Sequence, residues 1–220
     1  YGQTNVPAPN TGFIAVAGGG DHSLGLKADG SIVAWGYNGT GELNIPSPNT
    51  GFMGVAAGYH HSLGLKSDGS IVAWGCGESL NTNYGQCNVP TPNAGFVAVA
   101  AAGYNTLGLK ADGSIVASGR NWEGQTRVPS PNTGFMAVAA GDYHSLGLKG
   151  DGSIVAWGDS SYGLTNVPSP NTGFVAVAAG YHHSLGLKSD GSIVAWGCGG
   201  PLNYGQCNVP TPNAGCPAVA

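Results

Sequence analysis

The side chains with chemical reach in this chain are few and patterned. Histidines stand at 22, 61, 144 and 183, each followed by Ser, and two more at 60 and 182 create the pairs His60-His61 and His182-His183. Paired histidines invite metal ligation, and His beside Ser invites nucleophilic catalysis. Neither reading fits the spacing. Neighbours on a strand point to opposite faces, and no third ligand stands within useful reach of either pair. The His-Ser step also recurs too regularly to mark one special site, which suits hydrogen bonds that tie repeated units together. Most carboxylates are the Asp of identical Asp-Gly-Ser steps. No Ser-His-acid or Cys-His group stands apart from the repetition, and no phosphate-binding loop is present. The expectation is a chain without catalytic residues, metal ligands or cofactor.

The cysteines carry a second chemistry. Cys76 and Cys87 bracket a variable stretch, and Cys198 and Cys207 occupy the equivalent places further on. Only these two repeats hold both members, and they are also the longest. Such covariance predicts disulfides 76–87 and 198–207 closing the extended loops, and with them an extracellular, oxidising setting. Cys216 is left over, either buried and inert or available to bond another chain. Asn38-Gly39-Thr40 has the form of a glycosylation acceptor, relevant only in a source cell that glycosylates.

These residues sit on a strongly periodic scaffold. Gly-Phe opens repeats at Gly12, Gly51, Gly95, Gly134 and Gly173, and Gly215 opens a sixth in which Cys216 replaces Phe. The repeats are 12–50, 51–94, 95–133, 134–172 and 173–214. Residues 215–220 match a repeat's head and residues 1–11 its tail, so head and tail together form a split repeat without its middle. Each repeat reads G-F-x-A-V-A-A-G-x-x-H-S-L-G-L-K-x-D-G-S-I-V-A-W-G, then a variable stretch and N-V-P-x-P-N-x-G. The Ala-Val-Ala run suits a strand crowded near an axis. Alternating Leu around Asp-Gly predicts a hairpin, with a type I′ turn as the expected geometry. A short fourth strand is expected over Thr165-Asn166-Val167 and its counterparts, stopped by Pro168. Four short strands in some 40 residues, without helical periodicity, predict an all-β fold: a single β-propeller domain over 1–220, with five complete four-stranded blades and a split, incomplete sixth.

Composition agrees with an ordered, exposed array. The chain has 40 Gly and 8% charged residues, yet its large apolar residues recur at fixed intervals, which argues against disorder. The formal charge is −4, and five of the seven basic residues are lysines at one repeated position. That leaves no basic patch for nucleic acid. No apolar run is long enough to span a bilayer, and Tyr1 is not followed by a secretion leader, so the chain is expected to be soluble and, if secreted, already processed.

The block HSLGLKSDGSIVAWG, preceded by VAAG and followed by YGQ, resembles the repeat of the regulator of chromosome condensation family over essentially the whole chain. YGQTNVP followed by GFVAVAAGYHHSLGLK is most similar to that family's secreted β-lactamase inhibitory branch. The resemblance implies blades of four antiparallel strands, usually seven to a ring, and a role in protein binding. It does not imply exchange-factor activity, because the longer, charged loops expected of the nuclear exchange factor are missing.

Between the near-invariant Ala-Ala-Gly and Ser-Leu-Gly-Leu lie two changing positions: Gly20-Asp21, Tyr59-His60, Gly103-Tyr104, Asp142-Tyr143 and Tyr181-His182. In a propeller this connection reaches one rim near the axis, so the five pairs are expected to form a ring able to contact a protein or glycan. They equally suit plain solvated loops. Trp35, Trp74, Trp157 and Trp196 end the third strand as packing residues, and Ser118 replaces them in the third repeat. That repeat also carries Arg120, Trp122 and Arg127. The pair Arg120 and Trp122 reads either as a contact hot spot or as compensation for the lost Trp.

The split repeat has three readings: a window onto a longer array, a five-bladed ring with two appended strands, or an open edge that contacts another copy. The function expected is a non-catalytic extracellular interaction or self-assembly propeller. Alternatives are an inhibitor of a secreted enzyme such as a β-lactamase, and a carbohydrate-binding lectin.

Overall fold

The computed structural model describes residues 1–77, 82–201 and 203–219; Ala220 and parts of two variable stretches lie outside them. Five antiparallel sheets follow one another. They are β1 (Phe13–Gly18), β2 (His22–Lys27) and β3 (Ile32–Gly36); β4 (Phe52–Ala57), β5 (Ser62–Lys66) and β6 (Ile71–Trp74); β7 (Phe96–Ala102), β8 (Asn105–Lys110) and β9 (Ile115–Gly119); β10 (Phe135–Ala140), β11 (His144–Lys149) and β12 (Ile154–Gly158); and β13 (Phe174–Ala179), β14 (Ser184–Lys188) and β15 (Ile193–Trp196). Each has three strands rather than the four expected.

Local chemistry explains the missing strand. In the expected fourth strand, Asn166 N–H donates to Gly163 O and Val167 N–H to Thr165 O, so the chain turns instead of extending. The tail is then fastened by one side chain. The Asn171 carboxamide accepts from Ile154 N–H and donates to Ile154 O, both at 2.8 Å, and Asn49, Asn93, Asn132 and Asn213 repeat this pair of bonds on Ile32, Ile71, Ile115 and Ile193. An amide side chain thus satisfies the edge of the third strand that a fourth strand would have paired.

The hairpins also differ from expectation. Gly30 has φ 79° while Asp29 does not have a positive φ, Gly30 N–H donates to Lys27 O, and Lys27 N–H donates to Ser31 O. This is a three-residue loop with a glycine bulge rather than a two-residue type I′ turn. Asp29 Oδ1 accepts from both Ser31 N–H (2.9 Å) and Ser31 Oγ (2.6 Å), and the other four hairpins do the same. The Asp-Gly-Ser repetition is therefore turn chemistry.

The core lies between sheets, one cluster per joint. Leu24, Leu26 and Ile32 of the first sheet pack on Phe52, Ala57 and Trp74 of the second. Equivalent clusters join second to third, third to fourth and fourth to fifth. A bulge after each leading Phe shifts the register. The Phe ring then lies on the glycine of Leu-Gly-Leu, where a Cβ at Gly25 would come 2.4 Å from Phe13. Among the described residues no comparable cluster joins fifth sheet to first, so the blades form an open arc, and the closed five-bladed ring is not what the chain builds.

Three of the four joints have a polar latch. His22 Nε2 lies 2.9 Å from Ser62 Oγ, His61 Nε2 3.0 Å from Thr106 Oγ1, and His144 Nε2 2.7 Å from Ser184 Oγ. Ser62 and Thr106 donate their hydroxyls to Glu42 O and Gln86 O, so they accept from the imidazole, which must carry its proton on Nε2. The tryptophans add a second tie: Trp74, Trp157 and Trp196 donate Nε1–H to Glu42 O, Gln125 O and Leu164 O in the tail of the preceding repeat. The N-terminal segment plays that tail on the first blade, where Gln3 O accepts from Trp35 and Ser23. The third-to-fourth joint lacks the latch. Asn105 is fully buried with both amide atoms unpartnered, and Ser118 leaves its hydroxyl unpartnered.

Two expectations follow from these joints. Asn105→His restores the bond to Ser145, whose hydroxyl already donates to Gln125 O, and raises stability by about 1 kcal/mol in urea unfolding; an unchanged or lower midpoint contradicts the latch. Burial holds His61 down to about 3 and His144 to about 4. The unfolded chain therefore binds more protons below the ordinary value near 6.5, and stability is full above that pH. It falls by about 1.4 kcal/mol per pH unit for each such histidine between pH 6 and 4. His61→Asn flattens that slope in urea midpoints measured against pH, and an unaltered slope refutes the assignment.

Candidate functional site

The first and second strands of each sheet meet at the end opposite the Asp-Gly-Ser hairpins, and the five variable pairs lie there. The structure resolves them into two concentric sets. The first members, Gly20, Tyr59, Gly103, Asp142 and Tyr181, line a cavity of about 290 Å³ whose walls are otherwise Gly and Ala. The second members stand outside it: Asp21, His60, Tyr104, Tyr143 and His182, all half-buried.

The outer set, Asp21 apart, belongs to a chain of ring contacts that crosses all five blades. Tyr37 lies 6.2 Å from His60, His60 and Tyr59 both lie 6.0 Å from Tyr104, and Tyr104 lies 5.1 Å from Tyr84. Tyr84 meets Trp122 edge-on at 5.3 Å, and Arg120 spans from Trp122 (4.3 Å) to Tyr143 (5.1 Å). Tyr143 stacks on His182 at 5.2 Å and shares a 2.7 Å hydroxyl hydrogen bond with Tyr181, while Tyr162 meets His182 at 5.9 Å. Edge-to-face and offset contacts of this kind hold aromatic rings in fixed poses.

Arg120 and Trp122 join this surface from the variable tail. Trp122 is 70% exposed, so it does not fill the space left by Ser118. Arg120 is held by a 2.8 Å ion pair to Glu123. Arg127 lies beyond them, its N–H donating to Gly124 O. Sequence reasoning missed Tyr37, Tyr84 and Tyr162. The signal existed for two of them, because Tyr1, Tyr84, Tyr162 and Tyr204 all precede the glycine of the tail turn. Tyr162 is the single non-glycine residue with positive φ (59°) among those described. A left-handed bulky residue costs about 1 kcal/mol, and such strain gathers at working surfaces.

Electrostatics differ between the two ends of the arc. Every lysine of the repeat sits at the hairpin end, 4.0 to 5.1 Å over its own Phe ring, with its ammonium donating to carbonyls of the preceding tail. The aromatic end carries Asp21, Glu42, Glu123, Asp142 and Asp159 against Arg120 and Arg127. Burial alone would raise Glu42, but Thr40 and His60 donate to its carboxylate and hold it low, and this fixes His60 Nδ1 as a donor at 3.2 Å. Burial pushes Asp142 up, against the opposing effects of the Gly103 N–H, His182 and Arg120. The Tyr143 hydroxyl raises Tyr181 to about 12, with burial adding to it.

Cys76–Cys87 and Cys198–Cys207 are bonded, each fastening a tail with a tyrosine before its turn glycine, Tyr84 of the rim arc and Tyr204. Cys216 is a free, half-buried thiol whose N–H donates to Gly191 O, as Phe174 N–H does to Gly152 O. Asn38 binds Asn44 and Leu43 within its own turn. Among the described residues no group of three His, Cys, Asp or Glu could hold a metal, and no helix is long and apolar enough to cross a membrane.

Solved structures share this architecture. Prp20p from Saccharomyces cerevisiae, described with its binding to Gsp1p and histones, superposes with a TM-score of 0.74 at 21% identity, over 94% of this chain and 61% of its own. The CRINKLY WD40 ectodomain of the Arabidopsis thaliana receptor kinase ACR4 gives 0.66 at 27% identity, over 90% and 69%. The ectodomain of the Physcomitrella patens receptor kinase CR4 gives 0.66 at 25%, over 89% and 54%. The chain thus spans about three fifths of Prp20p. No curated protein matches it in sequence. The regulator of chromosome condensation (RCC1) repeat matches residues 13–42, 54–86, 137–164 and 174–206, more than half of the chain. With four of its five blades matched by this repeat and all five packed in series behind one aromatic rim, the protein belongs to the RCC1-repeat β-propeller family.

Proposed function

We propose that the chain is a non-catalytic, extracellular protein-binding module whose partner docks on the aromatic rim. The unbroken arc from Tyr37 through Trp122 and Arg120 to Tyr162 carries this reading. Tyr, Trp and Arg are the residue types that concentrate binding energy in interfaces, and pre-packed rings lose little entropy on contact. Two disulfides fastening rim tails, and relatives that are receptor ectodomains, support the extracellular setting. Prp20p, described by its binding to other proteins, supports the class of partner. An inhibitor of a secreted enzyme such as a β-lactamase is the alternative protein-binding role. A lectin is less favoured, because most rim rings are already turned edge-on to one another.

Self-assembly is a second reading with its own observation. On the fifth blade His183 has no latch partner among the described residues, and Leu185 is only half-buried where Leu24, Leu63, Leu107 and Leu146 are fully buried. Ser23 on the first blade donates to Gln3 O and so can accept, as Ser62 does. The two open faces are complementary in the manner of an internal joint.

Screening against immobilised secreted proteins tests the first reading. Binders are expected to lose at least tenfold in affinity in Trp122→Ala and Tyr181→Ala and to keep it in Lys27→Ala at the hairpin end. An absence of binders, or binders indifferent to the rim, overturns it, and glycan-only binding favours the lectin. Light scattering tests the second: mass growing with concentration, and abolished by Ser23→Leu, is expected. A monomer at high concentration rejects it.

A further inference from the structure

The axial cavity adds detail to the rim, and this inference rests on the protein-binding reading. Its lining has a single charged group, Asp142. At the two earlier joints the inner rim closes by backbone bonds, Gly20 N–H to Gly58 O and Tyr59 N–H to Gly103 O. At the third joint the Asp142 side chain takes that place and lies against Gly103. Gly103 has φ +48°, and a Cβ there would come 3.1 Å from Asp142 Cγ, so a glycine is required for the carboxylate to lie against this backbone. The carboxylate is thereby pinned in the cavity wall beside Tyr59 and Tyr181.

We propose that this cavity receives a lysine side chain of the protein partner, with its ammonium on Asp142 and its stem between Tyr59 and Tyr181. A half-buried carboxylate without a counter-ion is still penalised, and an entering ammonium supplies one. The nearest basic groups do not: Arg120 is committed to Glu123 and to the faces of Trp122 and Tyr143, and His182 is stacked on Tyr143. Tyrosine faces attract a cation that enters between them. The cavity of about 290 Å³ admits a butylammonium-sized group. Because one side of the carboxyl group is packed against Gly103, a single ammonium contact suits the site better than the two parallel bonds of a guanidinium. The excess of carboxylates at this end, with every lysine of the repeat held at the other, favours a basic partner on approach.

The test titrates the whole chain with n-butylammonium, n-butanol and n-butylguanidinium while following backbone amide resonances. Butylammonium is expected to shift Gly20, Gly58 and Gly103 saturably, and Asp142→Asn, which keeps the side chain's shape and removes its charge, to weaken this by about fivefold or more. Lys27→Ala, at the hairpin end, leaves the titration unchanged. Equal binding of butanol, no saturable shift, or indifference to Asp142→Asn overturns the proposal, and tighter binding of butylguanidinium overturns the choice of lysine. Since no protein partner enters the experiment, its failure is distinct from failure of the rim to bind proteins.

Discussion

The joint between successive blades is the constraint on which the rest of this structure depends. A three-stranded sheet this small cannot bury both of its faces alone, and each blade becomes a core only when the Leu, Leu and Ile of one sheet meet the Phe and Trp of the next. Area burial alone would tolerate sliding of one face on another. The histidine latch adds direction, since Nε2–H must meet one hydroxyl that is itself committed to a tail carbonyl. The Trp Nε1–H reaches the same carbonyl. Two donors converging on Glu42 O therefore set the angle between blades, and that angle brings five inner connections to one axis. The rim is a consequence of the joints.

The same constraint shows what the sequence made legible. Periodicity reveals contacts that every blade repeats, so the strands, the Asp-Gly-Ser turns, the inter-blade tryptophans and the structural role of the histidines can all be read from one chain. It misleads where repetition has a non-strand cause. Thr165-Asn166-Val167 has strand composition, but the edge it would pair is already taken by the Asn171 carboxamide, and nothing in the composition distinguishes an edge filled by a side chain from one filled by a backbone. The positive φ needed for a hairpin falls on Gly30 alone, a distinction between turn types that Asp-Gly does not encode.

The rim was only half legible, for a related reason. The variable pairs announce themselves by changing between constant flanks. Tyr84 and Tyr162 come from tails of unequal length, where alignment between repeats fails, although their place before the turn glycine is shared. What no pattern in one chain could show is that pair and tail rings touch, because that contact crosses from the tail of one repeat to the connection of the next, as Tyr84 does to Tyr104.

The third repeat departs from the others in a way that links stability to surface. It gives up the latch at Asn105, leaving two buried amide atoms unpartnered, and the packing tryptophan at Ser118, leaving a hydroxyl unpartnered. Each orphan costs on the order of 1 kcal/mol or more. The same repeat holds both arginines of the chain and its one exposed tryptophan. It also places Gly103 where Asp142 needs it. Natural sequences break their own local rules mainly where something other than folding is selected. The weakest joint of the arc therefore lies beneath the most distinctive part of the rim, between Tyr84 and Tyr143, which is where a partner gains most from a surface that repetition alone would not produce.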